Sequence, residues 1–265
     1  MAKPPILGDC HTHLDNYGAQ EMPEILERAR EAGVAFVVLA GTTVESTRTC
    51  IEISGQYDML YAGVGIHPMQ ADSLIDEATY QELDGLVASS DKVVCISEIG
   101  LDFLPESPPH DIQYQVFREQ IRLARQRKLP IIFHSRESHP EVFQTLREEK
   151  AGEVGGVMHY FQGDDATARE AIDCGFFISL ARPLLRLPDL QETAKAIPLE
   201  NIVLETDASP QPFKKYRHNW TEPRHVQPVA QKLAELKGIT LEEVARVTTG
   251  NLTRLLGLEH LVESG

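Results

Sequence analysis

The 265-residue sequence predicts an α/β fold: a single (β/α)8 TIM barrel with parallel strands and extra C-terminal helices. Three observations predict it. Short β-branched runs alternate with longer amphipathic stretches along the chain, which is the pattern of parallel βα units. There are eight such runs, the number that closes a (β/α)8 barrel, and about 250 residues is a usual length for one. The main competitor, a doubly wound open sheet, lacks its G-x-G-x-x-G signature after the first run.

The expected strands are Ile6–His11, Ala35–Leu39, Leu60–Val64, Val93–Glu98, Pro130–His134, Gly156–His159, Phe176–Ser179 and Ile202–Glu205. Amphipathic stretches such as Glu21–Ala32, Ile112–Arg127, Glu141–Lys150 and Ala166–Cys174 lie between them. Gly33 and Gly175 follow helices, where a left-handed residue is favoured, and Thr240-x-x-Glu243 has the spacing of a capping box. The least regular segment, Ala208–Pro223, has three prolines and contains the only tryptophan. It follows the last strand, where a barrel keeps functional loops. No repeat or linker interrupts the chain, so one domain over residues 1–265 is expected.

Composition narrows the function. Forty acidic against 25 basic residues give a net charge of −15, a global field that repels long polyanions. A nucleic acid substrate must then be captured locally, by cations and a few basic side chains. No apolar run approaches the roughly 20 residues of a membrane span. Met1 to Leu7 does not read as a signal peptide. Cys10, Cys50, Cys95 and Cys174 form no C-x-x-C pair, which fits a reducing cytoplasm and buried thiols.

The informative pattern is the placement of metal-ligand residue types at expected strand ends. His11 and His13 close the first strand and His67 follows the third; Glu98, His134, His159 and Asp207 close later ones. In a parallel barrel these ends converge on the rim that carries active sites. Residues two apart on an extended segment face the same way, so His11 and His13 can chelate one cation together. Imidazoles suit divalent transition ions, and carboxylates add charge compensation and can bridge two ions. Two metals roughly 4 Å apart stabilise both oxygens of an in-line displacement at phosphorus. Singly, each residue also has a structural reading: a hydrogen-bonded core histidine, or a helix cap for Glu98 and Asp207.

These residues resemble the TatD family of metal-dependent deoxyribonucleases, within the amidohydrolase superfamily. Asp9-Cys10-His11-Thr12-His13-Leu14 matches its D-x-H-x-H-L, Gly65-Ile66-His67-Pro68 its G-I-H-P, and Glu98-Ile99-Gly100-Leu101-Asp102 its E-I-G-L-D. His134-Ser135-Arg136, His159-Tyr160-Phe161-Gln162-Gly163 and Glu205-Thr206-Asp207 resemble its H-x-R, H-x-F-x-G and E-T-D. Glu222-Pro223 and Gly250-Asn251-Leu252 echo later landmarks, so the match runs along nearly the whole chain.

The resemblance implies two divalent metal ions, Mg2+ or Mn2+, with Zn2+ an alternative. His11, His13 and Asp207 would hold the first, Glu98 would bridge, and His134 and His159 would complete the second. It implies phosphodiester hydrolysis in DNA, as a 3′-to-5′ exonuclease on single strands or short ends, with a metal-bound hydroxide as nucleophile. Asp207 would act as general base, and His67 or Arg136 would stabilise developing negative charge and line the substrate pocket with Arg182. The expected partner is therefore DNA or a short oligonucleotide, with no membrane and a monomeric protein.

The sequence departs from the family at Trp220-Thr221-Glu222-Pro223, at Ala208-Ser209-Pro210 and at Ser179-Leu180-Ala181-Arg182-Pro183, all in pocket-shaping loops. Those loops carry Arg182, Arg186, Lys214, Lys215, Arg217, His218 and Arg224, with Tyr216 and Trp220 interleaved. They read either as a short single-strand platform or as a solvated loop whose aromatics pack on the barrel. Two other functions compete. One is an amidohydrolase acting on an ester, amide or lactone, although Lys92 lies at the wrong end of its strand to serve as a bridging carboxylated lysine. The other is a non-catalytic nucleotide- or partner-binding module, whose mark would be loss of ligands.

Overall fold

A computed structural model describes residues 5–263 of the chain. The reading of Met1 to Leu7 therefore falls in part, over Met1–Pro4, outside the described residues. Eight strands are present among those residues: β1 Leu7–Thr12, β2 Val34–Ala40, β3 Leu60–Val64, β4 Val93–Asp102, β5 Ile131–Arg136, β6 Gly156–Met158, β7 Phe176–Leu180 and β8 Ile202–Leu204. They follow one another in chain order in one sheet. A doubly wound sheet reverses its strand order at a switch point. The unbroken order is that of the (β/α)8 barrel.

Helices fill the intervals as parallel connections require: α1 Met22–Glu31, α2 Val44–Gln56, α3 Glu77–Val87, α4 His110–Arg127, α5 His139–Glu148, α6 Asp165–Asp173 and α7 Pro188–Ala196. After β8 come α8 Val226–Lys237, α9 Leu241–Leu256 and the short α10 His260–Glu263, the extra C-terminal helices expected. The glycine signals act as read, and Thr240 supplies the N-cap half of the expected box. Gly33 and Gly175 take φ of 86° and 92°, and the Thr240 side chain accepts a hydrogen bond from the Glu243 N–H.

The chain divides into two compact units. One comprises residues up to Leu39 with Tyr160–Ala168 and Ile178 onward; the other comprises Ala40–His159 with Arg169–Phe177. In the first, β1 pairs with β2 and β7 with β8, both in parallel, and Thr12 bridges Ala208. Helix α9 covers this sheet with Val244, Ala245, Leu252 and Leu256 buried. Its Asn251 donates to the carbonyls of Leu199 and Ile202, which fixes the entry to β8 and gives the Gly-Asn-Leu landmark a physical role. In the second unit β3, β4, β5 and β6 pair consecutively in parallel. Every residue of β4 is buried, as expected of a parallel strand covered on both faces.

Several strand ends are corrected; β5, expected to close at His134, runs on to Arg136. Glu98 was expected to end its strand, but β4 continues to Asp102 because Ile99, Gly100, Leu101 and Asp102 keep pairing with Phe133, His134, Ser135 and Arg136. Gly100 permits it. Its φ is +146°, and a Cβ there would lie 2.0 Å from the His134 carbonyl oxygen. Strands β6 and β8 instead stop one residue early, before His159 and Glu205. Nearby Tyr160 and Asp207 adopt φ of 48° and 51°, which turn the backbone out of the sheet.

Candidate metal centre

In the first unit, β1 and the segment after β8 are laced together. Asp207 N–H donates to the His11 carbonyl at 3.0 Å, and His13 N–H donates to the Ala208 carbonyl at 2.8 Å. This exchange brings three ligand types together. Asp207 Oδ1 is 3.3 Å from His13 Nε2 and 4.0 Å from His11 Nε2. The three donor atoms lie within 4.8 Å of one another. Donors each about 2.0–2.2 Å from one cation must stand at such separations, so this set of two imidazoles and a carboxylate fits a divalent ion.

Two buried carboxylates hold that geometry, neither of which received a role from sequence. Asp9 accepts from the Thr206 N–H at 3.0 Å and from its hydroxyl at 2.5 Å. Burial drives the Asp9 carboxyl well above the usual carboxylate range, against those hydrogen bonds. Glu205 accepts from Ser179 Oγ at 2.6 Å and from the Tyr160 N–H at 2.7 Å. Asp207 is thus preceded by two anchored residues. An acid inside an apolar strand needs a partner, and that was the available signal.

In the second unit, Glu98 collects histidines. Its Oε1 lies 3.2 Å from His67 Nε2, 3.1 Å from His134 Nδ1 and 2.8 Å from His159 Nε2. His67, Glu98 and His134 form a second group of donors within 4.8 Å. His67 was assigned to the substrate pocket; its Nδ1 accepts from the Met69 N–H at 3.0 Å, so its Nε2 carries the proton toward Glu98. His159 is set by its own N–H donating to the Phe133 carbonyl at 3.2 Å. With the His67 Nε2 proton directed at Glu98, the carboxylate and the imidazoles of His134 and His159 are the groups that suit a divalent ion.

His134 is gripped at both ring nitrogens. Opposite the Glu98 contact, its Nε2 lies 2.9 Å from Asp102 Oδ2. Burial works against the charged imidazole, yet hydrogen bonds to Asp102 and Glu98 outweigh it and raise the His134 pKa. Burial likewise opposes ionisation of Asp102, and hydrogen bonds from His134 and Arg136 overcome it, holding its carboxyl well below the usual range. Sequence reasoning quoted Asp102 in its motif and gave it no task.

The expected cationic residues are each held by a partner within the fold. Arg136, expected to line the substrate pocket, pairs with Asp102 through Nε at 2.8 Å and Nη2 at 2.6 Å, because the two are cross-strand neighbours. Arg182 donates from Nη1 to Thr221 Oγ1 at 2.6 Å. Lys92, at the start of β4, donates to the Asp58 carbonyl at 2.7 Å.

The loop 208–225 divides between the two readings given to it. The Arg217 guanidinium lies over Tyr17 and Trp220, and Trp220 packs edge-on against Tyr17. Glu222, 1% exposed, accepts from both Arg28 Nε and Nη2 at 2.9 Å and from Arg217 Nη1 at 3.0 Å, with Arg224 Nε at 3.2 Å. Tyr216 stacks on His218 and stays half exposed, and Phe213 is 81% exposed. So Trp220 and Arg217 pack onto the fold, whereas Tyr216 and Phe213 face solvent.

Comparison with known proteins shows the family and the fold. The family described as TatD related DNase matches residues 8–257. The metal-dependent hydrolase YabD of Bacillus subtilis is 38% identical over 94% of this chain and 98% of its own length. Human deoxyribonuclease TATDN3 is 31% identical over 97% of both. The crystal structure of the TatD homologue YjjV from Escherichia coli superposes with a TM-score of 0.86 at 26% identity, covering 95% of this chain and 98% of that one. With its ligand types in place and its fold shared, the chain belongs to the TatD family of metal-dependent hydrolases.

Proposed function

We propose that the protein is a divalent-metal-dependent phosphodiesterase, a deoxyribonuclease that removes nucleotides 3′ to 5′ from single strands or short DNA ends. The observation that carries this reading is the pair of donor groups, His11, His13 and Asp207 in one unit and Glu98 with His134 and His159 in the other. We assign one cation to each group, with Mg2+ or Mn2+ the working ions and Zn2+ an alternative. Likeness to human deoxyribonuclease TATDN3 supports DNA as substrate. The barrel acts as one functional domain and a monomer. Its four cysteines, among which no disulfide is formed, support a cytoplasmic setting.

When bound, the ions supply Lewis acidity and lower the pKa of water at the scissile phosphorus. The chain's own residues do the rest. Asp207 is about a quarter exposed, so it can both hold a cation and take the proton of the attacking water. Arg136 is half exposed and held by Asp102 through two nitrogens, which leaves guanidinium N–H groups for a phosphate oxygen. His67 carries an Nε2 proton toward Glu98 and can stabilise charge that develops beside it. We assign Arg182, anchored on Thr221, a substrate-binding role as well.

The test is turnover of a nitrophenyl phosphodiester, a nitrophenyl acyl ester and end-labelled single- and double-stranded oligonucleotides under Mg2+, Mn2+, Zn2+ and chelator. Metal-dependent loss of nucleotides from the 3′ end, abolished by Asp207→Ala, is the expected result. Acyl-ester turnover without phosphodiester turnover would sink the proposal.

A further inference from the structure

We infer that Asp102 is a positioning residue: it fixes the tautomer of His134 so that Nδ1 is the atom offered to a cation, and the same oxygen orients Arg136. This rests on the proposed reading that Glu98, His134 and His159 hold a divalent ion.

The argument begins with how immobile Asp102 is. Its side chain is fully buried at the end of β4. Its backbone is clamped by Gln113 of α4, which accepts from the Asp102 N–H at 2.8 Å and donates to its carbonyl at 2.8 Å. Oδ1 accepts from Ser107 Oγ at 2.9 Å and the Leu104 N–H at 3.2 Å. With Oδ1 saturated, the carboxylate cannot rotate, and Oδ2 is presented to β5. There it meets His134 Nε2 at 2.9 Å and Arg136 Nε and Nη2 at 2.8 and 2.6 Å.

An ionised carboxylate only accepts hydrogen bonds, so His134 Nε2 must carry a proton. An imidazole that ligates a cation keeps only one N–H, so with that proton on Nε2 it is Nδ1, the nitrogen 3.1 Å from Glu98 Oε1, that offers its lone pair. A cation shared by Nδ1 and Glu98 Oε1 would take the place of the proton between them. A carboxylate behind a ligating histidine typically contributes ten- to a hundredfold in metal affinity. Because one oxygen serves both residues of His-x-Arg, metal binding and phosphate recognition share a single support.

The experiment is calorimetric titration of metal-free protein with Mn2+ and with Zn2+. Asp102→Asn should weaken one site ten- to a hundredfold and leave the other unchanged. Arg136→Gln, a change at a half-exposed residue, should stay within about threefold of wild type, which separates loss of the arginine from loss of the histidine's support. A second measurement needs no variant: 15N NMR of the zinc-loaded wild type should show the His134 proton on Nε2. Wild-type affinities in Asp102→Asn, or a proton on Nδ1, would overturn the inference. If Glu98→Gln leaves the wild-type isotherm unchanged, the metal reading of this group fails first and takes the inference with it.

Discussion

Replacing Glu222 with glutamine tests how the loop after β8 is held. The carboxylate is 1% exposed and takes four hydrogen bonds or ion-pair contacts from Arg28, Arg217 and Arg224 at 2.9–3.2 Å. Removing one partner of a buried pair costs about 3–5 kcal/mol. The three guanidiniums are each about one-third exposed and can recover hydration, which places the expected loss near the lower end, about 3 kcal/mol. For a chain of this size that is a fall in Tm of roughly 6–12 °C. The pH dependence follows the same pair. Burial raises the Glu222 pKa, but the Arg28 hydrogen bonds and the neighbouring arginines overcome it and lower the value. A lowered carboxyl stabilises the fold above its unfolded value of about 4.3 and loses that contribution as pH falls through the folded value. Glutamine should therefore shrink the acid limb of a stability profile below about pH 4.3. Thermal and urea unfolding of Glu222→Gln, Arg28→Met and the double variant measure both the loss and the coupling. A Tm within 2 °C of wild type, or a coupling below about 0.5 kcal/mol, would refute the reasoning.

Two further outcomes are expected. Mn2+ or Zn2+ at a hundredfold over its Kd should raise stability by about 2.7 kcal/mol, reversed by chelator; thermal melts showing no metal-dependent shift would contradict both cation assignments. His225 accepts from the Glu222 N–H through Nδ1, and burial, with Arg182 and Arg224 nearby, lowers its pKa to about 4. A histidine held neutral stabilises the fold above its unfolded value of about 6.5 and loses that contribution as pH falls toward 4. Discounted for partial exposure, the loss should be about 1–2 kcal/mol, and His225→Asn, which retains an acceptor, should flatten that interval in urea titrations.

Strand count and order were legible because hydrophobic periodicity encodes which segments are sandwiched between layers, and parallel connections leave few topologies. The ligand types were legible because a polar residue closing an apolar run is costly without a purpose. What stayed hidden was pairing. Nothing in Glu98-Ile99-Gly100-Leu101-Asp102 announces that the strand continues, since that depends on a register with β5 set by contacts distant in sequence. For the same reason the sequence does not disclose that the cross-strand partner of Arg136 is Asp102. The supports Asp9 and Glu205 were visible as letters, but their partners Thr206, Ser179 and Tyr160 are known only from the fold. The loop 208–225 was divided by one residue: Glu222 gathers the arginines that composition alone left open to a nucleic acid.

Gly100 carries a consequence for engineering. A methyl group on that residue would stand 2.0 Å from the His134 carbonyl oxygen and 3.0 Å from its nitrogen, so the backbone of β4 must give way before any ligand does. Copying Glu98, Asp102 and His134 onto another barrel would then reproduce the chemistry and miss the spacing. The transplant has to include an absence, a position with no side chain where two strands lie too close to admit one.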